Sequence, residues 1–522
     1  FVFVFVFSVL CSSSYGVFDS WLNHGGGNDN RRHARYEWKI RKETISRMSL
    51  KWKFFAGFDI TATPAVYNGV VYFPTWDGNL FAVRAVDGSL VWKINLQNLT
   101  GISPIDFQVP RAKPTVLSRT TPTVTPSTLF IGLYGPAYIV AVQRLTGKLL
   151  WSTQLETHNA SLVTMSGTYH NGGFYVGTSS LEESVKKELC CTFRGSFSKL
   201  NALTGQILWK TYMLPDNNGE KYQYAGSSIW GSSPAIDVAR NLIFIATGNL
   251  YSVPPSVASC QEKENNQSQP SHQEQCIEQG INGNSILALD LDDGSISWSR
   301  QLGGYDVWLL VCVTSPDSCP AGPNLDADFG EAPMTLTVVF NSTVKDIVVA
   351  TQKSGYTWAL DRSNGELVWS TKAGPGGLGG GGIWGSATDG KRVYTNIANT
   401  NKLNFTLLPD TAEITTAGGW VAMDADTGAI QWSTGNPNNF TSPGPVTIAN
   451  GILFAGSADA SGEFYAMDAV TGEILWSYET GASIVGGASV SNGCAFVGTG
   501  RGFFGSQYTS GTSLFAFCVT DD

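Results

Sequence analysis

The sequence predicts an all-β protein: an eight-bladed β-propeller whose ring is closed by pairing of its N- and C-terminal strands. Three observations predict it. A segment first met as LFAVRAVDGSLVWK, ending at Lys93, returns six more times along the chain. Each copy carries a Trp four residues after a Gly. An eighth copy is divided between the chain ends. Self-similarity of this kind marks a repeat architecture in which each unit buries its apolar face against the next.

Each copy opens on an apolar strand, as in WVAMDADTGAIQWS and FYAMDAVTGEILWS, whose alternation turns one side toward a sheet-to-sheet core. An acidic or polar turn ending in Gly follows, and that Gly supplies the positive φ of a tight hairpin. The Gly/Trp pairs are Gly88/Trp92, Gly147/Trp151, Gly205/Trp209, Gly294/Trp298, Gly365/Trp369, Gly428/Trp432 and Gly472/Trp476. A Trp at that place buries a large ring between neighbouring blades, where its N–H finds a backbone acceptor. For the eighth copy, LFAFCV at 514–519 supplies the strand before the turn and LKWKF at 50–54 supplies Trp52. Pairing of the two closes the ring and removes its edges.

Composition agrees with many short strands and tight turns: of 522 residues 58 are Gly and 16 are Trp, and only 14% are charged. The formal charge of −9, with no basic run beyond the short Arg31–Arg35 stretch, argues against a nucleic-acid surface. Residues 1–16 read as a signal peptide lacking its basic start, 17–47 as an N-terminal extension, and 48–522 as a single propeller. No later apolar run approaches the ~20 residues of a membrane-spanning helix, so a soluble, secreted protein is expected. Removal of Cys11 with the signal leaves eight cysteines, an even number that suggests disulfides in an exported chain. We expect Cys190–Cys191, Cys260–Cys276, Cys312–Cys319 and Cys494–Cys518; the alternative for the adjacent pair is two bonds to distant partners. The lack of any C-x-x-C argues against a zinc ribbon or a c-type haem site. Sequons at Asn98, Asn159, Asn266, Asn341, Asn404 and Asn439 fit a glycosylated secretory product from a eukaryote.

Two insertions interrupt the repeat. The polar stretch Gln261–Gln279, bracketed by Cys260 and Cys276, reads as a stapled surface loop. Gly374–Gly382 is nearly all glycine, lacks the Lys-Ser/Thr of a phosphate loop, and reads as an irregular loop.

The repeated A-x-D-x-x-T-G-x-x-x-W pattern resembles the tryptophan-docking motif of the quinoprotein alcohol dehydrogenases, which use pyrroloquinoline quinone (PQQ). The resemblance runs from about Trp52 to the C-terminus. The segments CCTFRGS, IWGSSPAID, YDVW and DADFGEAP make it most similar to the polyvinyl-alcohol-dehydrogenase-like branch. It implies Ca²⁺ and PQQ in the funnel at the ring's centre. Residue by residue, VGTSSLEE implies a calcium-ligand Glu at Glu182, with Glu183 as the register-shifted alternative. The run from Trp230 to Asn249 implies a Trp under the quinone and a calcium-ligand Asn. YDVW implies a general base, also a calcium ligand, at Asp306, and QKSGYTWALDR a quinone-contacting cation at Lys353. The Cys190–Cys191 ring is expected over the quinone. Carboxylate and amide oxygens suit a hard cation, and a carboxylate beside the quinone can take the alcohol proton.

The pattern departs from the family at Leu309-Leu310, which follow Asp306-Val307-Trp308 where many members carry another acid; a larger or more apolar substrate is implied. An internal echo, GGIWGSATDGKRVYTNIAN, sets Trp384 and Asn399 in the places of Trp230 and Asn249, so part of that segment belongs to the blade repeat. The expected activity is oxidation of a secondary or polymeric hydroxyl, with electrons passed to a separate acceptor. The rival readings are a cofactor-free binding or scaffold propeller, and a non-redox enzyme reusing the funnel.

Overall fold

The computed structural model describes residues 20–105, 115–265, 276–315, 319–409, 413–502 and 507–520. The signal segment 1–16 with Cys11, and the sequon at Asn266, lie outside the described residues. Eight four-stranded antiparallel sheets form the ring. The first begins with Ala65–Tyr67 and ends with the Trp-bearing strand Leu90–Asn95; the next six follow the same order along the chain. First strands of neighbouring sheets touch one another around the axis, so the fourth strands stand outermost.

The eighth sheet is composite. Ser489–Ser491, Cys494–Gly498 and Ser513–Val519 are completed by Met48–Phe55, and Trp52 pairs with Ala516. The two chain regions thus pair as expected. Cys494 lies opposite Cys518 on adjacent strands, and the eight described cysteines come together in the four expected pairs.

Blade-to-blade contact follows from the repeat. The indole of Trp151 donates to the carbonyl of Ala202 at 3.1 Å, Trp369 to Ala425 at 3.1 Å and Trp432 to Ala469 at 3.1 Å, each in the next blade. The turn glycine of that next blade lies against the ring: a Cβ on Gly428 (φ +74°) would stand 2.5 Å from Trp369 Cε3. One glycine therefore answers two demands, the left-handed turn and the bare surface on which an indole rests. Between blades the apolar faces interdigitate, as where Phe130 and Phe174 stack at 4.7 Å.

One feature differs from expectation, and one adds to it. The insertion after blade four's second strand begins as a helix, Pro255–Asn265; Pro255 suits a first helical position, and Ala258, Gln261, Glu262 and Lys263 are good helix formers. The N-terminal extension is docked on the ring from Trp21 onward. Residues 21–37 enter the axis and circle it against successive first strands. Trp21 pairs with Val66; Val124, Ile236, Thr335, Thr388 and Ile448 then donate to the carbonyls of Leu22, Asn28, Asp29, Arg31 and Arg32. No helix among the described residues is long and apolar enough to cross a membrane.

Candidate functional site

Two or three residues beyond its second strand, each blade delivers a side chain to one end of the ring. These include Trp76, Tyr134, Asn249, Lys353, Asn399 and Asp459. Chain between sheets, including 228–234 and 325–333, arrives at the same end. The sequence thus builds one funnel mouth from corresponding places in many copies.

Lys353 is the cation of this mouth. Its Nζ donates to Asp326 Oδ1 at 2.7 Å and to Asp328 Oδ2 at 3.3 Å, with all three residues buried. Burial works against the ammonium, but the charges of Asp326 and Asp328 outweigh it and hold Lys353 above the ordinary lysine range. Burial pushes the Asp326 carboxyl well up, against the pull of Lys353, and its Oδ2 is buried without a hydrogen-bond partner. The glycine run supports the turn that carries Lys353. Gly377 N–H donates to the Lys353 carbonyl at 3.2 Å, and side chains on Gly355 or Gly376 would collide with Gly374 and Ser354 carbonyls.

Trp230 lies beside this cluster. Its indole N–H donates to Asp328 Oδ2 at 3.0 Å, and Lys353 Nζ stands 5.2 Å from its ring centre. Trp384, an echo of Trp230 in the sequence, meets it edge to face at 4.8 Å. The Arg119 guanidinium in turn lies 3.9 Å from the Trp384 ring centre, and burial lowers its pKa to about 10. The structure thus brings Trp230 and Lys353 together, and adds Trp384, Arg119, Asp326 and Asp328. DADFGEAP, with its close-set acids, was the one sequence signal for the last two. Arg119 carried none.

Glu182 turns away from this cluster. Its carboxylate accepts the backbone N–H groups of Thr192 (2.9 Å) and Phe193 (2.8 Å) and lies 3.4 Å from His158 Nε2. Glu183 faces the cluster instead. Burial and the Asp328 charge raise its pKa to about 7, Lys353 counters them, and Tyr251 hydrogen-bonds to it. Cys190 and Cys191 pack with Phe193, Tyr251 and Leu309, on the Glu183 side of the mouth. Asn249 places its N–H on Asp328 Oδ1 and gives its Nδ2 to the carbonyls of Leu250 (2.7 Å) and Trp308 (2.9 Å). Its echo Asn399 likewise bonds the carbonyls of Leu403 and Ala417, so this amide first of all pins a loop.

Asp306 is 3% exposed, and burial raises its pKa. Its oxygens accept from the backbone of Leu325 (2.9 Å), Asp326 (3.2 Å) and Ala327 (2.7 Å), and from Asn284 Nδ2 (2.9 Å). It therefore shapes the turn that presents Asp326. Three carboxylates, Glu183, Asp326 and Asp328, act on the ammonium of Lys353, and a fourth, Asp306, lies near Asp326 and Asp328. Among the described residues, however, no three His, Cys, Asp or Glu side chains are already gathered as a metal shell.

Fold and site together define a closed eight-bladed propeller with an aromatic-floored, acid-rich funnel. A family profile described as outer membrane protein assembly factor BamB matches residues 45–212 and 417–513, just over half the chain. The glucose/ethanol/alcohol dehydrogenase β-propeller profile matches 176–375. The chain belongs to the PQQ-dependent alcohol dehydrogenase superfamily. It is 28% identical over 467 residues to a polyvinylalcohol dehydrogenase of Pseudomonas sp, covering 84% of this chain and 65% of that protein. To the polyvinylalcohol dehydrogenase of Sphingopyxis sp. (strain 113P3) it is 27% identical over 480 residues, covering 86% and 66%. The chain thus spans a little under two thirds of the length of these relatives. Its fold is shared with a quinohemoprotein alcohol dehydrogenase from Comamonas testosteroni, with TM-score 0.69, 17% identity, and 97% of this chain and 81% of that one covered. A europium-containing methanol dehydrogenase gives TM-score 0.69 at 16% identity, covering 96% and 98%.

Proposed function

We propose that the chain oxidises an alcohol, a secondary or polymeric hydroxyl, with PQQ and Ca²⁺ held in the funnel and a separate acceptor taking the electrons. One observation carries this reading: the buried Lys353–Asp326–Asp328 cluster set against the Trp230 ring. The residues suit both groups chemically. Trp230 is a flat apolar surface for a planar ring system, and Lys353 and Arg119 are cations for its acidic substituents. The acidic excess and the orphaned Asp326 Oδ2 suit a hard divalent cation. Ligands in this reading are Glu183, since Glu182 is committed to the backbone of 192–193, together with Asn249 and Asp306. When bound, the quinone accepts the hydride equivalent and calcium polarises its carbonyl. The chain's own residues orient the alcohol and remove its proton, the base being Asp306. The Cys190–Cys191 ring, with Phe193 and Leu309, excludes water from the Glu183 side.

The polyvinylalcohol dehydrogenases among the relatives support the polymeric hydroxyl. The paired cysteines support a secreted protein, as do five exposed sequons, Asn98, Asn159, Asn341, Asn404 and Asn439. The test is titration of the calcium-loaded protein with PQQ, followed by absorbance and by alcohol-dependent dye reduction. Saturable binding with turnover is expected; Asp306→Asn should lower turnover by about 10²–10⁴-fold with quinone affinity nearly unchanged. Collapse of quinone affinity in Asp306→Asn would make it an anchor of the 325–327 turn and pass the base role to Asp326. No binding at micromolar PQQ overturns the dehydrogenase reading. It leaves the second one, a cofactor-free binding propeller, which the assembly-factor profile over 45–212 and 417–513 favours.

A further inference from the structure

The floor of the funnel rests on the segment that circles the axis. His24 is buried within it, and its Nε2 hydrogen-bonds to the Trp384 carbonyl while its Nδ1 lies 3.3 Å from Thr121 Oγ1. Burial, and then the charge of Arg32, drive the imidazole well below its ordinary pKa. It is therefore neutral: with Nε2–H donating to a carbonyl, Nδ1 is left to accept from the Thr121 hydroxyl. Arg32 fixes the segment behind it. Its guanidinium donates to the His24 carbonyl, to Val446 O at 2.7 Å and to Thr447 Oγ1 at 2.9 Å, and is fully buried.

Trp384 needs such support. Its φ of +71° is left-handed, which a bulky side chain rarely adopts and which costs about 1–3 kcal/mol unless neighbours over-determine it. Two bonds hold the peptide: Trp384 N–H donates to Gly330 O at 2.9 Å, and His24 takes the carbonyl. The next residue, Gly385, is pressed against the same segment, where a Cβ would lie 2.8 Å from Arg32 Cδ and 3.2 Å from His24 Nε2. Out of this backbone the Trp384 ring rises between Arg119 and Trp230.

We propose that His24 is a positioning residue of the funnel: its imidazole holds the Trp384 peptide in its left-handed conformation and thereby sets Trp384 edge-on beneath Trp230. Its effect on a ligand rests on the quinone reading above; its effect on the two indoles does not. The experiment uses the full chain labelled with 5-fluorotryptophan, with the two resonances assigned by Trp230→Phe and Trp384→Phe. In His24→Ala the ¹⁹F signals of Trp384 and Trp230 should shift or broaden while those of docking indoles such as Trp151 and Trp369 stay in place. His24→Gln, which keeps a donor near the carbonyl, should restore them. Thr121→Val, which frees only the Nδ1 side, should give the same perturbation at smaller amplitude and serves where His24→Ala does not fold. PQQ affinity, read by fluorescence quenching, should fall at least tenfold in His24→Ala and return in His24→Gln. Unmoved Trp384 and Trp230 signals in a folded His24→Ala or Thr121→Val protein overturn the proposal. If the wild type binds no PQQ yet the two signals move, the quinone reading falls and the positioning role stands.

Discussion

At the scale of single residues, charge burial decides what the site can hold. Lys353 is tolerable in the interior because two carboxylates surround it, and Asp326 because Lys353 faces it. His24 solves the same problem by staying neutral, which gives stability a pH signature. The unfolded chain takes up a proton at His24 near the ordinary value of 6.5, whereas the folded chain resists until well below it. Stability from this residue is thus complete above pH 6.5 and is lost as pH falls, by up to about 1.4 kcal/mol per pH unit. His24→Gln should remove that slope: melting temperatures of the two proteins should keep a constant gap above pH 6.5 and converge below it. A gap independent of pH from 5 to 8 would contradict the buried neutral imidazole. Lys353 and Trp230 were legible at this scale only through family resemblance. Nothing local in the sequence of Arg119 or His24 announces a site, because their importance lies in what the closed ring sets beside them. Trp384 was misleading for a different reason: as an echo of Trp230 it read as part of the repeat, and the structure puts it in the floor as well.

At the scale of the repeat element, reading was easiest. Alternating strand, turn glycine and tryptophan all stand where the pattern places them. What the pattern could not express is that the indole of one copy rests on the glycine of the following copy, since a repeat describes a unit and the contact joins two. The distinction predicts unequal costs for equal substitutions. Gly428→Ala adds a methyl group 2.5 Å from Trp369 Cε3 as well as straining a φ of +74°; Gly451→Ala, at φ +81°, meets nothing within 4 Å. Urea unfolding should give about 1–2 kcal/mol for Gly451→Ala and about 3 kcal/mol or more for Gly428→Ala. Equal losses would mean that the indole yields freely. The helix Pro255–Asn265, by contrast, was hidden by its own polarity: with Val257 its one buried residue, it shows no apolar stripe to read.

For the whole molecule, closure is the main device. Met48–Phe55 and Ser513–Val519 complete the eighth sheet and so close the ring, and the division of the eighth copy between the chain ends made this legible. Removing residues from 512 onward should expose Met48–Phe55 and Cys494–Gly498 as unpaired edges. The expected result is concentration-dependent association on gel filtration and loss of a single cooperative unfolding step. A truncated chain that stays monomeric and unfolds in one step would show that the remaining blades hold the ring unaided. The path of residues 21–37 was not legible at all, because the repetition in its contacts lies in the first strands that donate to it and not in its own sequence.

That path also sets an order in time. Residues 21–37 are synthesised before every first strand they touch, and their last partners lie far along the chain: Glu37 accepts from Gly493 across 456 positions. Contacts so distant in sequence form late, since the intervening chain must be ordered before they reward the loop they close. The segment can dock on the first two sheets early, through Trp21 and Leu22, but His24 reaches Trp384 only after five sheets have been made, and Glu37 reaches Gly493 only with the eighth. A nascent chain whose first five sheets have folded therefore still lacks the finished indole floor.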